Sequence, residues 1–330
     1  MRAVVAPEPG GADALQIVEL PDPAPGPGEV VLAVEAAALN RADILQREGR
    51  YPPPAGTTGV LGLEAAGTVA LVGDGVSDWV PGDRAMALLA GGGYAERAVV
   101  PAPQLMPIPE PLDTVTAAAI PEVFLTAWMG LARLARLAPG EIALIHAGAS
   151  GVGTAAIQVA RELGATVVAT SRAAARLSIA RELGAMPVEA SGGEFASAVR
   201  ECTTGRGADV VLDLVGAAYW SENVDVLAPG GRIVMLSLTS GARADVDFGR
   251  LLPLQATIHC ATLRARSVDQ KADIIRDFGG WGLSRLAGGA LIPVIDSVFP
   301  LEHVRQAHQA MESGDVVGKV LLTTGVTPAP

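Results

Sequence analysis

One segment constrains the fold of this chain more than any other. Between Ile142 and Arg172 an apolar run, a glycine-rich turn, an amphipathic stretch and a second apolar run follow one another. The turn places Gly148, Ser150 and Gly153 at the three positions of a GxGxxG pattern, and the stretch after it is expected to end as a helix at Gly164. Such a turn lets the backbone approach a pyrophosphate at a helix N-terminus. We therefore predict a dinucleotide-binding βαβ unit; a purely structural glycine turn is the alternative.

The end of the second strand distinguishes between the nicotinamide cofactors. A site for NAD usually has Asp or Glu there, about 20 residues past the first glycine, to bind the ribose 2′-hydroxyl. This chain has Thr170, Ser171 and Arg172, followed by Arg176. Hydroxyl and guanidinium groups can bind a 2′-phosphate through charge-assisted hydrogen bonds, so we predict NADPH as the cofactor. Alternatively, the two arginines are solvated residues of the next helix. The residues predicted to contact the cofactor in this unit are Gly148, Ala149, Ser150, Gly151, Val152, Gly153, Ser171, Arg172 and Arg176.

Composition bounds the class of protein. The 330 residues, half of them hydrophobic, suit two domains with separate cores. A formal net charge of −11 disfavours nucleic acid as the main partner. No apolar run approaches the roughly 18 residues of a membrane span, and the first residues look like a strand and not a signal peptide, so we expect a cytoplasmic protein. Cys202 and Cys260 belong to no metal-binding or disulfide pattern and are expected to be reduced, buried thiols.

The pattern of residue types along the sequence changes near residue 124. Before it, short β-branched stretches separated by Gly and Pro predict an antiparallel β-rich domain. After it, strands alternate with Ala-rich helices, with further strands expected at Ala208 to Leu214 and Arg232 to Leu236. The hexapeptide ARELGA, which starts at both Ala160 and Ala180, marks two successive helix ends. The closing segment from Gly314 is strand-like enough to rejoin the first sheet. The predicted fold class is thus α/β, with a doubly wound parallel sheet inserted into a β-rich domain.

Several motifs together resemble one family. They are LNRADILQREGRYPPP from Leu39, GLEAAGTV from Gly62, PEVFLTAW from Pro121 and HAGASGVGTAAIQ from His146. With these motifs the chain resembles the zinc-free quinone oxidoreductases of the medium-chain dehydrogenase/reductase superfamily, and most of all their tumour-suppressor-induced type. The resemblance implies a GroES-like substrate domain at 1–123 and 261–330, a Rossmann NADPH-binding domain at 124–260, and a homodimer formed through sheet edges. The segment from Leu251 to Leu263 is apolar and β-prone, as a sheet edge would require.

The zinc ligands of the superfamily's alcohol dehydrogenases are missing. Their thiolate, imidazole and thiolate positions hold Asn40, Leu63 and Glu122 here, and the four-cysteine structural lobe is absent as well. An amide and one carboxylate do not replace that ligand set, so no metal is expected. Without a Lewis acid, simple ketone chemistry loses its main electrostatic assistance. Quinones and activated enones are the acceptors that this pattern favours.

The resemblance also implies roles for individual residues. Asn40 and Tyr51 are the predicted catalytic pair, which would hydrogen-bond the acceptor oxygen beside the nicotinamide. Ser191 stands where many quinone oxidoreductases have a Tyr beside the 2′-phosphate. The further residues implied at the cofactor are Asn40, Glu122, Thr126, Ser191, Asp213, Val215, Gly216, Ser237, Leu238, Leu263, Arg264 and Lys319.

Each of these roles has a simpler alternative. Asn40 could only cap a helix that begins at Arg41, and Tyr51 could only pack a turn. Thr126 could be a helix-start hydroxyl and Lys319 a solvated cation, while His146 is expected to be a buried structural imidazole. We predict an NADPH-dependent quinone oxidoreductase; an enone or enoyl thioester reductase and a non-catalytic NADPH-binding protein are the alternatives.

Overall fold

A computed structural model describes residues 1–326 of the chain. In chain order its strands are β1 (Arg2–Val5), β2 (Gln16–Glu19), β3 (Glu29–Ala38), β4 (Glu64–Val72), β5 (Arg84–Leu88), β6 (Arg97–Pro101), β7 (Leu105–Pro107), β8 (Ile142–Ile145), β9 (Thr166–Ser171), β10 (Met186–Glu189), β11 (Ala208–Asp213), β12 (Leu227–Met235), β13 (Thr257–Cys260), β14 (Ile295–Pro300) and β15 (Lys319–Thr323). The α-helices are α1 (Arg41–Arg47), α2 (Thr114–Ala117), α3 (Pro121–Trp128), α4 (Gly151–Glu162), α5 (Leu177–Glu182), α6 (Ala196–Cys202), α7 (Trp220–Val226), α8 (Phe248–Leu254), α9 (Val268–Ala287) and α10 (Val304–Ser313).

These elements form two compact units. Within the described residues, the β-rich unit comprises Met1–Leu125 and 263–326, and the parallel-sheet unit comprises Thr126–Thr262. Each unit has its own cluster of buried apolar side chains.

The parallel-sheet unit contains a six-stranded sheet in the order β10-β9-β8-β11-β12-β13, with every neighbouring pair parallel. Strands β8 and β11 lie at its centre and are buried along their whole length, as their continuous apolar runs require. The strand order reverses direction between β8 and β11. At such a point the loops after the strands diverge and leave room for a ligand at the carboxyl ends. The predicted Rossmann-type fold is confirmed.

The β-rich unit contains a second sheet in the order β14-β15-β3-β4-β5-β7, in which β6 also pairs with β3. The closing strand β15 runs antiparallel to β3, with Leu321 opposite Ala38, so the last segment does rejoin the first domain's sheet. Leu32, Leu39 and Leu61 are fully buried in the core of this unit. The predicted GroES-like β-rich partner of the Rossmann unit is confirmed.

The prediction that both cysteines are buried was wrong, and the prediction of a β-prone edge segment was only partly correct. Cys260 is exposed because it lies on the edge strand β13, whose side chains are mostly exposed. Cys202, the last residue of α6, is only partly buried. The first residues of the segment from Leu251 to Leu263, which was predicted to be β-prone, belong instead to helix α8. This helix ends at Leu254, and the next residue, Gln255, has a left-handed backbone conformation. Only the last strand, β13, supplies a sheet edge there.

Within the described part of the chain, every helix is too short or too polar to span a lipid bilayer.

Candidate functional site: a glycine turn and a buried polar cluster

The glycine-rich turn joins β8 to α4 in the geometry that the sequence predicts. Gly148 donates its backbone N–H to the carbonyl of Thr170 on β9, at 2.8 Å, which ties the turn to the neighbouring strand. A Cβ on Gly153 would lie 2.1 Å from the carbonyl oxygen of Ala147, a separation that no side chain tolerates. Only glycine at this position therefore lets the first turn of α4 approach the end of β8. Helix α4 ends before Gly164, which has a φ of +85°.

Ser150 has a structural role that the sequence did not indicate. It is the N-cap of α4, and its Oγ accepts a hydrogen bond from the backbone N–H of Gly153 at 3.1 Å. The next two residues, Gly151 and Val152, are partly exposed and belong to the first helical turn, whose N–H groups have no intrahelical acceptor. Ala149 is buried in the turn. The turn thus presents a helix N-terminus with its positive dipole end, which suits a phosphate group.

The end of β9 carries hydroxyls and arginines, and no carboxylate. Thr170 and Ser171 are buried, whereas Arg172 is exposed and Arg176 is partly buried. The hydroxyl of Ser171 donates to the carbonyl of Ala173 at 3.3 Å and accepts the backbone N–H of Ala173 at 3.4 Å, which are both long hydrogen bonds. The Ser171 hydroxyl and the two guanidinium groups therefore offer donors for a phosphate at the edge of the sheet.

A tyrosine that the sequence analysis missed lies next to Ser191. Ser191 itself is exposed in the loop after β10. Tyr219 donates its hydroxyl to the carbonyl of Ala190, the residue before Ser191, at 3.3 Å. The centroid of the Tyr219 ring lies 4.9 Å from that of the Phe195 ring. Burial raises the pKa of Tyr219, and the nearby Arg172 opposes that rise. The phenol thus lies within electrostatic reach of Arg172, although the sequence separates the two residues widely.

The loop after β11 is held by a buried carboxylate. Asp213 is fully buried, and its Oδ1 accepts the backbone N–H groups of Val215 and Gly216, at 2.7 and 2.8 Å. The loop after β12 packs closely against this turn. A Cβ on Gly216 would lie only 3.2 Å from the carbonyl oxygen of Ser237. Leu238 is about half exposed there. The structure thus brings the four residues predicted after β11 and β12 to one edge of the sheet.

In the β-rich unit, three polar side chains form a closed buried cluster. Lys319 lies 2.7 Å from both Glu64 Oε1 and Asn40 Oδ1, and it also donates to the carbonyl of Leu39 at 2.6 Å. These contacts use all three N–H groups of the ammonium, and Lys319 is only 2 % exposed. The alternative of a solvated cation is wrong. Lys319 also has no N–H group left for a cofactor.

Asn40 is likewise fully engaged as a donor. Its Nδ2 donates to Glu64 Oε1 at 2.9 Å and to the carbonyl of Ala38 at 3.3 Å. Its backbone N–H donates to Asp43 on α1, so Asn40 also lies at the helix N-cap. An amide has two N–H groups, and here both are directed to protein acceptors. This geometry does not support the predicted hydrogen bond from Asn40 to an acceptor oxygen.

Two further carboxyl groups lie against this cluster. Asp43 is fully buried and accepts the hydroxyl of Tyr94 at 2.9 Å; burial raises its pKa to about 6. Glu122 donates its backbone N–H to Glu64 Oε2 at 2.8 Å, while its own Oε2 is enclosed without a hydrogen-bond partner among residues 1–326. Burial, and then the neighbouring charge of Glu64, raise the pKa of Glu122 to about 8. Lys271 on α9 is 3 % exposed, and burial lowers its pKa.

Arg264 holds the loop that contains Tyr51. Its guanidinium lies 5.3 Å from the centroid of the Tyr51 ring and donates to the Tyr51 carbonyl at 3.4 Å. It also donates to Gln46 on α1 at 2.5 Å and to the carbonyl of Ala90 at 2.9 Å. Arg264 and its neighbour Leu263 are both 4 % exposed. The guanidinium therefore fixes Tyr51, a role that the sequence did not suggest.

Two other predicted positions are clarified by the structure. Thr126 is the sixth residue of α3 and not a helix-start residue, so that alternative is wrong. Leu63 is buried, and within residues 1–326 no group of three or more His, Cys, Asp or Glu side chains is arranged to hold a metal ion.

The two units together define a class of protein. A doubly wound sheet with a glycine turn at its switch point, joined to a GroES-like β-rich unit, is the architecture of a nicotinamide-dependent oxidoreductase. Comparisons with known proteins agree with this assignment. The family described as "Alcohol dehydrogenase GroES-like domain" matches residues 26–110, and the family described as "Zinc-binding dehydrogenase" matches residues 151–275.

The curated proteins and solved structures match nearly the whole chain. The human synaptic vesicle membrane protein VAT-1 homolog is 32% identical over 98% of this chain and 87% of its own length. An NAD-dependent alcohol dehydrogenase matches with 34% identity and a TM-score of 0.86. The Escherichia coli quinone oxidoreductase complexed with NADPH matches with 29% identity and a TM-score of 0.86; both structures cover 98% of this chain and 100% of their own. The JamJ enoyl reductase matches with 28% identity and a TM-score of 0.87, covering 98% of each chain.

The chain belongs to the medium-chain dehydrogenase/reductase superfamily and is an NAD(P)H-dependent oxidoreductase of that superfamily.

Proposed function

We propose that this protein is an NADPH-dependent, zinc-independent quinone oxidoreductase. The observation that carries the proposal is the end of β9, where Thr170, Ser171 and Arg172 stand beside the glycine turn in place of a carboxylate. A carboxylate there would repel a 2′-phosphate, whereas the Ser171 hydroxyl and the Arg172 guanidinium can bind one. The similarity to the quinone oxidoreductase solved with NADPH supports the same assignment.

The residues of the parallel-sheet unit fit the cofactor. The close approach at Gly153 leaves the N-terminus of α4 accessible to a pyrophosphate, with Gly151 and Val152 supplying backbone N–H groups. Ser171 and Arg172 would bind the 2′-phosphate. When bound, NADPH supplies the hydride equivalent; the protein contributes orientation and exclusion of water.

The donor set of the β-rich unit favours an electron-poor acceptor. An amide at Asn40, an alkyl group at Leu63 and a carboxyl group at Glu122 do not make the ligand set of a catalytic zinc. A simple ketone would have no Lewis acid to polarise it at these positions. A quinone is reduced readily without such help, and its reduced oxygens can take protons from water.

The structure changes how we divide the roles of the predicted catalytic pair. Tyr51, held by Arg264, remains our candidate for orienting the acceptor oxygen. Asn40 is assigned to holding Lys319 and Glu64, because both of its N–H groups bind protein acceptors. Tyr51→Phe should therefore lower kcat/KM for the acceptor roughly five- to a hundredfold, which corresponds to a loss of about 1 to 3 kcal/mol of transition-state stabilisation. The NADPH Kd should stay unchanged.

A second candidate function is the reduction of an enone or an enoyl thioester, which the similarity to the JamJ enoyl reductase favours. The two activities use the same cofactor and differ only in the acceptor. NADPH oxidation should be measured with a panel of quinones, enones and enoyl thioesters. Fastest turnover with quinones supports the proposal, and fastest turnover with enoyl thioesters overturns it in favour of the second function. Binding of NADPH without turnover of any acceptor would favour a non-catalytic NADPH-binding protein.

The proposal includes a cytoplasmic homodimer. Strand β13 is one of the two edge strands of the parallel sheet, and exposed apolar side chains lie on it and on the preceding helix α8. Phe248 is 70% exposed, Leu252 77% and Ile258 41%. An unpaired edge with apolar neighbours is the kind of surface that a second copy of the chain covers.

A further inference from the structure

Four buried side chains in the parallel-sheet unit form one continuous chain of hydrogen bonds. Thr170 on β9 lies 2.8 Å from His146 Nδ1, and His146 Nε2 lies 2.6 Å from Asn223 Oδ1 on α7. Asn223 Nδ2 then donates to Asp213 Oδ2 at 3.0 Å. Asp213, His146 and Asn223 are inaccessible to solvent, and Thr170 is 1% exposed. We call these four residues the relay.

The carboxylate at one end determines the direction of every bond. Asp213 can only accept, so the amide of Asn223 must present Nδ2 to it and Oδ1 to His146. His146 must then carry its proton on Nε2, and its Nδ1 is left to accept the hydroxyl of Thr170. Burial lowers the pKa of His146, which keeps the ring neutral, as this arrangement requires.

The buried carboxylate of Asp213 is stabilised by N–H groups. Among residues 1–326 Asp213 forms no ion pair; it is stabilised by N–H groups from Asn223 and from the two residues of its own loop. Burying a carboxylate costs free energy unless its oxygens accept well-placed hydrogen bonds. Moving any of these donors away would therefore be unfavourable, and the donors are held in position. The same bonds fix the backbone at Val215 and Gly216.

The two ends of the relay lie at two separate parts of the proposed cofactor site. Asp213 fixes the loop after β11, and Thr170 immediately precedes Ser171 and Arg172 at the end of β9. Both strands end at the carboxyl edge of the sheet, where a dinucleotide binds.

We propose that the relay is a positioning device for the cofactor, in which Asn223 and His146 couple the loop after β11 to the 2′-phosphate end of β9. The proposal rests on the proposed NADPH site. The relay residues are positioning residues because they act through the backbone and hydroxyl groups that would face the cofactor. Asn223 is the most informative of them, since it lies on α7 and connects the two ends.

The experiment compares two buried polar side chains of the same unit. Asn223→Leu breaks the relay, because Asp213 Oδ2 loses its Asn223 donor and His146 Nε2 loses its Asn223 acceptor. Thr203→Val is the matched control: Thr203 is 5% exposed and its hydroxyl is hydrogen-bonded to Val199 at 2.8 Å, but it lies outside the relay. Both variants should lose stability. We expect the NADPH Kd, measured by fluorescence titration, to rise about tenfold in Asn223→Leu and to stay within about twofold in Thr203→Val.

The outcomes separate the inference from the proposed function. If the wild-type protein binds neither NADPH nor NADH, the proposed function fails. If it binds NADPH and Asn223→Leu binds it equally well, or if Thr203→Val weakens binding as much, the relay is overturned as a positioning device.

The direction of the relay has its own spectroscopic signature, which requires no cofactor. Nitrogen-15 NMR of His146, assigned by comparison with His146→Gln, should show the proton on Nε2 in the wild-type protein. In Asp213→Asn the new amide can donate to Asn223, which reverses each bond and moves the His146 proton to Nδ1. A proton on Nδ1 in the wild-type protein, or no change in Asp213→Asn, would overturn the relay.

Discussion

Glu122 gives a prediction whose size follows from the structure. Its pKa is raised to about 8 from an ordinary value of 4.5, because the carboxyl group is buried and lies beside Glu64. The folded state therefore binds this proton more tightly than the unfolded state. Between pH 4.5 and pH 8 the folded protein carries the proton and the unfolded chain has released it. Linkage then requires the unfolding free energy to fall as pH rises through this window.

The magnitude is about 1.4 kcal/mol per pH unit within the window. From about pH 5.5 to about pH 7.5 the Glu122 contribution to the unfolding free energy should decrease by about 2 to 3 kcal/mol. Glu122→Gln removes the titration while retaining a similar shape and the backbone bond to Glu64. Asp43, whose pKa is raised to about 6, titrates in both proteins, and most of its effect cancels in the difference because near pH 6 the Glu122 carboxyl group is neutral, as Gln is.

The assay is urea denaturation of the wild-type and Glu122→Gln proteins at several pH values. Glu182→Gln, at an exposed position on α5, is the control and should follow the wild type at every pH. We expect the Glu122→Gln protein to become progressively more stable than the wild type as pH rises from about 5.5 to about 7.5. A difference that is constant with pH, or that changes in the opposite direction, would refute the buried, protonated state of Glu122.

Three further predictions concern the cofactor site and the assembly. Replacing both Arg172 and Arg176 by Ala should reduce a preference for NADPH over NADH by about tenfold or about 1.4 kcal/mol, measured by titration with each cofactor; an unchanged preference would contradict the 2′-phosphate assignment. Gly153→Ala should destabilise the protein by about 1 to 3 kcal/mol and weaken NADPH binding, because its Cβ would meet the Ala147 carbonyl at 2.1 Å, whereas Gly192→Ala, which has open space, should do neither. Phe248→Asp should shift the mass measured by light scattering from dimer to monomer; a monomeric wild-type protein would rule out the homodimer.

The sequence predicted the parts of the fold that depend on local patterns. The run Ile142–Ile145, the glycine turn and the helix ending before Gly164 were all correct, because periodicity and glycine geometry act over a few neighbouring residues. The burial of Cys260 could not be judged in this way. An apolar run looks the same in a central strand and in an edge strand, and only the strand order shows that β13 has one free side.

The residues of the candidate site were also predicted only in part from the sequence. The sequence marked Lys319 and Asn40 as site residues but did not predict that they contact each other. Nearly 280 positions separate them along the chain, and they meet because β15 pairs with β3. Tyr219 was missed for the same reason: its hydroxyl reaches Ala190 across 29 positions. Family resemblance directed attention to Ser191 itself, whereas the nearest phenol comes from another segment.

The central claim is that this protein transfers reducing equivalents from NADPH to a quinone without zinc. The most direct measurement is steady-state consumption of NADPH and of NADH with a 1,4-benzoquinone, using protein whose metal content has been determined. The account predicts turnover by zinc-free protein, with kcat/KM at least about tenfold higher for NADPH than for NADH. Equal use of both cofactors, or activity that appears only when one zinc per chain is bound, would contradict it.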